Sequence, residues 1–308
     1  MTTATGTASG QHTLASPVGT SPAGWKARWR IRTSTALLLA PATIYFVLFF
    51  VVPLGVLVLF SFYTYTNFDW TSRLTLSNYS QALTNPAFRA FYWRTLWVAL
   101  LVSAIVVTIS YLFSYIITYL LPGLRRALYF LVLVSLFGGY LVRIYAWRTM
   151  LGTFGIVNKT LLAFGLVSHP VTSLLNSDTA IVIAMVNFLI PLGVLPIYAA
   201  MQNISPHLFE AAVDLGASRL RTARTIVLPL SARGVKAAFA FCFIGTMAEW
   251  VTPQLVGGPL NQFVGNAIQY EFGTTLDWPL GAALALTLIA SVIVVLGLLA
   301  IPLRFVYR

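Results

Sequence analysis

The chain is short of charge. Of its 308 residues only 8% are Asp, Glu, Lys or Arg, where soluble domains carry roughly 25%. A water-facing surface cannot be built from so few. Cysteine is nearly absent. Cys242 stands alone inside an apolar run, which excludes an internal disulfide framework and a thiol-ligated metal site. His12, His169 and His207 are too scattered for metal-ligand spacing. The three lysines occur as "WK", "NK" and "VK". None belongs to the G-x-x-x-x-G-K-S/T phosphate loop, so the chain carries no ATP-hydrolysing site of that kind and needs no cofactor of its own. Paired carboxylates in apolar surroundings and a nucleophile motif are missing too, which argues against an embedded enzyme.

What is present is hydrocarbon. Apolar residues make up 58% of the chain and mean hydropathy is +0.84. A bilayer core about 30 Å thick asks for about 20 apolar residues per helical span, and helices satisfy their own backbone groups in lipid. Six spans are expected, at 35–62, 93–121, 125–151, 179–202, 234–256 and 279–303. The fold class is therefore an all-α membrane protein. "PGLRR" alone joins spans two and three, which makes them an antiparallel pair. Span four holds Pro191 and Pro196 around Gly193. Either these prolines bend it or the membrane helix tolerates them.

Residues 1–24, rich in Thr, Ser, Gly and Ala, lead into the basic run "WKARWRIR", so 1–32 is read as a disordered basic tail and 33–308 as the membrane domain. Net charge is +12. With six spans and a cytoplasmic N-terminus, Arg73, Arg89, Arg94, Arg143, Arg148 and Lys159 fall outside and the rest of the 19 Lys and Arg inside. That bias obeys the positive-inside rule. The expected location is a cell membrane, crossed several times, with both termini in the cytoplasm. The basic residues serve topology rather than nucleic acid.

One stretch breaks the pattern. Residues 203–233 form a long cytoplasmic loop containing "EAAVDLGASRLRTARTIVLPL". Ser205 and Pro206 suit a helix start. Leu208, Ala211, Ala212 and Leu215 recur at helical spacing as an apolar stripe, with Glu210 and Asp214 on the other face. Gly216 supplies a left-handed stop. Ser218 can cap a second short helix with Leu220, Ala223, Val227 and Leu230 on one side and Arg219, Arg221 and Arg224 on the other, ended by Pro229. Such a helix, turn, helix unit suits either a protein groove or an anionic lipid surface.

Glu210, Ala211 and Ala212, then Gly216, then Ile226, Leu228 and Pro229 resemble, at every fixed position, the EAA signature of ABC importer permeases. The resemblance continues through "GGYLVRIYAWRTMLGTFGIVN", "EWVTPQLVGGP" and "DWPLGAA", over roughly 35–305, and is closest to the spermidine/putrescine branch of PotB/PotH type. It implies the six-helix type I importer (MetI-like) permease fold. It also implies that Glu210, Ala211, Ala212, Asp214, Gly216, Ile226, Leu228 and Pro229 couple the chain to an ATPase that binds the ATP and Mg. The partners implied are two PotA-like ATPase subunits, a second, PotC-like permease and a PotD-like extracytoplasmic solute-binding protein. That branch also includes permeases for phosphonates and opines.

Glu249 is the one acid expected inside a span, and an intramembrane acid is a functional hypothesis. Beside Trp250, and with Tyr140, Tyr145 and Trp147, it would offer an ammonium a carboxylate and aromatic faces. Alternatively it pairs with Arg143 or Arg148. Tyr270, Glu271 and Asp277 either attract a cation or contact a delivering binding protein, or read as solvated loop residues, the reading preferred here, and Gly257, Gly258 and Pro259 read as a turn. An ion-coupled secondary carrier is the rival reading, and it leaves the cytoplasmic signature unexplained.

Overall fold

A computed structural model describes residues 38–66, 69–71, 73–205 and 207–306. The tail 1–32 and Pro206 lie outside the described residues. The chain divides into two compact units, Met1–Val56 and Leu57–Arg308. The first helix, α1 (Leu38–Phe60), is apolar on every face, and none of its most hydrophobic window is buried. A helix apolar all round suits lipid. Its π-helical turn at Val47–Val51 directly precedes Pro53, where the wider turn accommodates the missing backbone donor.

In the second unit a small antiparallel ribbon follows, β1 (Thr64–Thr66) with β2 (Asp69–Thr71), an addition to the all-helical expectation. Next comes α2 (Ser77–Thr84). Asn78 holds this connection by donating from Nδ2 to the carbonyls of Ser61 and Tyr63 at 2.9 and 2.8 Å.

The long helix α3 (Pro86–Leu120) starts on Asn85, whose side chain accepts from the Ala87 N–H. Proline at the first helical position needs no partner for a missing donor. After the turn Pro122–Leu124 comes α4 (Arg125–Leu136), whose Leu128, Tyr129 and Val132 share a cluster with Phe113 and Ile117 of α3 and with Val194 and Tyr198. The third expected span is not one rod. It bends by 91° into α5 (Tyr140–Leu151), followed by α6 (Ile156–Ala163). The break falls at Gly138 and Gly139. The Arg143 guanidinium folds over Gly138 so closely that a Cβ there would meet Nη2 at 2.7 Å, and it donates to Ser135 Oγ.

Helix α7 (Asp178–Gln202) is capped by Ser177 and runs through both prolines. Helix α9 (Leu220–Met247) packs against it, and Gly234 permits the approach: a Cβ there would lie 2.4 Å from the Pro196 carbonyl oxygen. Gly193 plays the same part against α3, where a Cβ would meet Ser110 Oγ at 2.5 Å. Helices α3, α7 and α9 thus form the centre, filled by Val98, Val102, Ile181, Met185, Leu189 and Cys242. Small residues let membrane helices touch where no hydrophobic drive separates lipid from protein. Short α10 (Val264–Tyr270) and last helix α11 (Trp278–Val306) complete the unit. Six spans result when the bent pair counts as one.

Candidate functional site

Between α7 and α9 lies the loop carrying the glutamate–alanine–alanine run. Its helix α8 (His207–Asp214) ends as expected at Gly216, which has φ +71°. Ala217 N–H donates to the Ala212 carbonyl at 2.9 Å, closing the six-residue loop that a left-handed terminal glycine makes possible. No heavy atom lies within 4 Å of a Cβ built at Gly216. The backbone angle alone demands glycine there.

The face that anchors α8 differs from the expected apolar stripe. Leu208, Ala211 and Leu215 are exposed, Leu215 at 87%, while Ala212 is buried. The anchor is Phe209, whose ring lies 4.5 Å from Tyr119 at the end of α3 and joins Ile197, Met201, Ile204 and Val227. Phe209 and Ala212, three apart, are the inward stripe. Leu208, Glu210, Ala211, Asp214 and Leu215 are left outward. A sequence reading that paired leucines with alanines rotated the helix away from its true contact face. Glu210 is not bare: its Oε2 is 3.1 Å from His207 Nδ1.

The second half of the loop is no separate helix. Ser218 caps it as expected, accepting from Arg221 N–H at 3.3 Å, but Pro229 does not end it. The π-helical turn Ala223–Val227 stands immediately before the proline, and the helix continues to Met247. A wide turn absorbs a proline that would break a tight one. Val227 is fully buried, Ile226 and Pro229 are half-buried, and Leu228 is exposed. The second half of the loop and span five are therefore one continuous helix, a lever unbroken at Pro229, which α8 joins through the turn at Gly216.

At the far end of that lever sits Glu249. It lies past the end of α9 rather than within a span, in a two-residue break before the turn Pro253–Gly257. Its Oε1 accepts from the N–H groups of Trp250, Val251 and Thr252 at 3.1, 2.8 and 3.0 Å, and from Tyr140 Oη at 2.5 Å. Tyr140 Oη also lies 3.2 Å from Thr252 Oγ1. One carboxylate oxygen thus starts a new helical turn and ties it to the first residue of bent helix α5. Among the described residues no ion pair joins Glu249 to Arg143 or Arg148, and Arg143 turns to Ser135. Of the aromatic set, Tyr140 and Trp147 pack on the central cluster. Tyr145 and Trp250 are 52% and 39% exposed. So Glu249 meets Tyr140, with Trp147 on the same cluster, and Tyr145 stays apart.

The short helix α10 seals the break from the other side. Asn266 Nδ2 donates to the Trp250 carbonyl at 2.7 Å, and a Cβ on Gly265 would meet the Glu249 carbonyl oxygen at 2.7 Å. Nearby, Gly258 (φ +74°) makes the expected turn, and Arg94 links it to α7 through the Leu260 carbonyl and Asp178. The two Arg94 contacts join residues over 80 positions apart, with no local sequence signal. Of the two acids expected in solvent, Glu271 is buried and Asp277 half-buried, and burial raises both carboxyls above their ordinary values. The Thr275 hydroxyl partly offsets this for Glu271, and Asp277 adds to it.

A bundle of long apolar helices around small-residue contacts, with an exposed loop helix joined through a glycine turn to one of them, defines a multi-pass membrane protein. The chain belongs to the family described as binding-protein-dependent transport system inner membrane component, which it matches over residues 94–303. It is a transmembrane permease subunit of an ABC importer, in the inner membrane. It is 32% identical to the spermidine/putrescine transport system permease protein PotB of Haemophilus influenzae, over 70% of this chain and 74% of that one. To the protein of the same name from Escherichia coli it is 35% identical, over 53% of this chain and 59% of the relative. To the inner membrane ABC transporter permease protein YdcU of Escherichia coli it is 30% identical, over 80% of each. A chain of a bacterial alginate ABC transporter, solved with an alginate pentasaccharide-bound periplasmic protein, superimposes with a TM-score of 0.75. At 18% identity, over 92% of this chain and 98% of that one, that likeness concerns the type I importer fold.

Proposed function

We propose that this chain is one of two permeases in a polyamine importer, and that the loop 203–233 is its mechanical input. The observation that carries the coupling role is the continuity of the lever. Phe209 and Ala212 fix α8 to the bundle, Leu208, Ala211 and Leu215 stay available to an ATPase groove, and Glu210 and Asp214 can make charge-assisted contacts at its rim. Motion at the loop then travels along α9 to the break at Glu249, because that helix is continuous from Leu220 to Met247 and Phe209 of α8 packs in the same cluster as its Val227. Supporting the polyamine reading are the two PotB relatives. The partners are two PotA-like ATPases, a PotC-like second permease and a PotD-like binding protein, with both termini of this chain in the cytoplasm.

In this reading the binding protein delivers solute to the outer face. ATP binding closes the ATPase pair, α8 and α9 move together, and the path opens outward. Hydrolysis returns it inward. Tyr140 and Glu249 hold the bent helix α5 to the lever's outer end, so the clamp moves with it. The test is uptake of labelled spermidine, putrescine and a phosphonate by the assembled complex. ATP-dependent uptake of the first two is expected, and uptake of the phosphonate alone would replace the substrate while keeping the machinery.

A further inference from the structure

At the end of the bundle opposite α8, beside the first turns of α3, lies a cavity of about 620 Å³. Phe88 and Phe91 of α3, Gln254, and Gln269, Tyr270 and Glu271 line it. Glu271 is only 9% exposed. Its Oε2 accepts the Thr275 hydroxyl at 2.6 Å. Among the described residues no lysine or arginine pairs with it, since the ion pairs there are Arg94 with Asp178 and His207 with Glu210. A carboxylate taken out of water without a cation is costly, and here the space next to it is open.

The walls say which cation fits. A divalent metal wants several oxygen ligands in a fixed shell, whereas one carboxylate, amide side chains and three aromatic rings suit an ammonium group on an apolar chain, which ring faces attract. We infer that this cavity is a binding site for protonated aliphatic amines, with Glu271 as counter-charge and Phe88, Phe91 and Tyr270 around the methylenes. It is separate from the Glu249 clamp, whose Oε1 is already taken by four donors. The inference rests on the polyamine reading above and places an amine site at the mouth the solute would enter.

The test uses the purified assembled complex with no binding protein added, and 1,4-diaminobutane as probe, read by the amine-induced rise in Tm. A rise is expected with the diamine and none with 1,4-butanediol. Glu271→Gln should weaken the apparent affinity about tenfold, the loss of one charged contact, and Glu271→Asp should restore part of it. Tyr270→Leu should weaken it severalfold and serves if the glutamine variant assembles poorly. An equal response in Glu271→Gln, an equal response to the diol, or no response in the parent complex overturns the site. Labelled diamine uptake separates the two claims. Uptake with an unchanged response in Glu271→Gln removes the site and keeps the importer reading, while a Glu271-dependent rise without uptake keeps the site and removes polyamine transport.

Discussion

Substitution at Glu249 separates a clamp from a charge. Glu249→Gln keeps an oxygen where Oε1 stands, so the three backbone N–H groups and the Tyr140 hydroxyl retain an acceptor. Glu249→Ala removes it. The loss resembles removal of a helix cap, about 1–2 kcal/mol, plus about 1–2 kcal/mol for leaving the partly buried Tyr140 hydroxyl on its longer contact with Thr252 alone. Together these give about 2–4 kcal/mol, enough to loosen the 249–252 turn from α5. The assays are ATP-dependent uptake and the thermal midpoint of the complex, for both variants and for Tyr140→Phe. Glutamine should keep most uptake and stability, alanine should lower both, and Tyr140→Phe should fall between. If glutamine abolishes uptake while the midpoint stays at the parent value, the carboxylate acts through its charge on the solute and the clamp reasoning is refuted.

Other substitutions probe the lever. Gly216→Val should abolish uptake and weaken ATPase association while leaving insertion intact, because a left-handed β-branched residue costs at least about 1–2 kcal/mol; Gly216→Asn, which tolerates that region, should retain much of both. Phe209→Ala should lower coupling, read as ATP hydrolysed per solute moved, by freeing α8 from Tyr119. Gly234→Leu should prevent assembly outright, since the space it needs is held by the Pro196 carbonyl and Ala200. For Glu271 the pH dependence has a definite sign. Its carboxyl lies above the ordinary value, so the folded chain holds that proton more tightly than the unfolded one and stability falls as pH rises from about 4 through the raised value. Glu271→Gln should flatten that decline in the thermal midpoint and be no less stable at neutral pH.

The sequence spoke clearly wherever the solvent imposes a period. Apolar runs located the long helices, the bent third one excepted, and Ser218 and Gly216 sit at helix ends where local backbone chemistry put them. It misled where packing overrides local preference. Pro229 reads as a stop, yet a π turn carries the helix past it. Gly138 and Gly139 sit in an unbroken apolar run, and only the folded Arg143 side chain and the docking of Tyr140 reveal a corner. The inward face of α8 was ambiguous because Leu208 and Phe209 both offer apolar stripes one residue apart, and only Tyr119, nearly a hundred residues earlier, decides between them. The capping role of Glu249 was hidden because the N–H groups it accepts from belong to the three residues after it, a pattern that becomes visible only once the helix is seen to break there.

Coupling is the claim on which the account stands. It is tested most directly by reconstituting the complex in liposomes and measuring labelled putrescine uptake with and without the ATPase subunits, for the parent and for Gly216→Val. Uptake that requires both ATP and the ATPase, and that disappears in Gly216→Val, is the predicted result. Uptake by the permease chains alone, driven by an ion gradient and indifferent to residue 216, would contradict it.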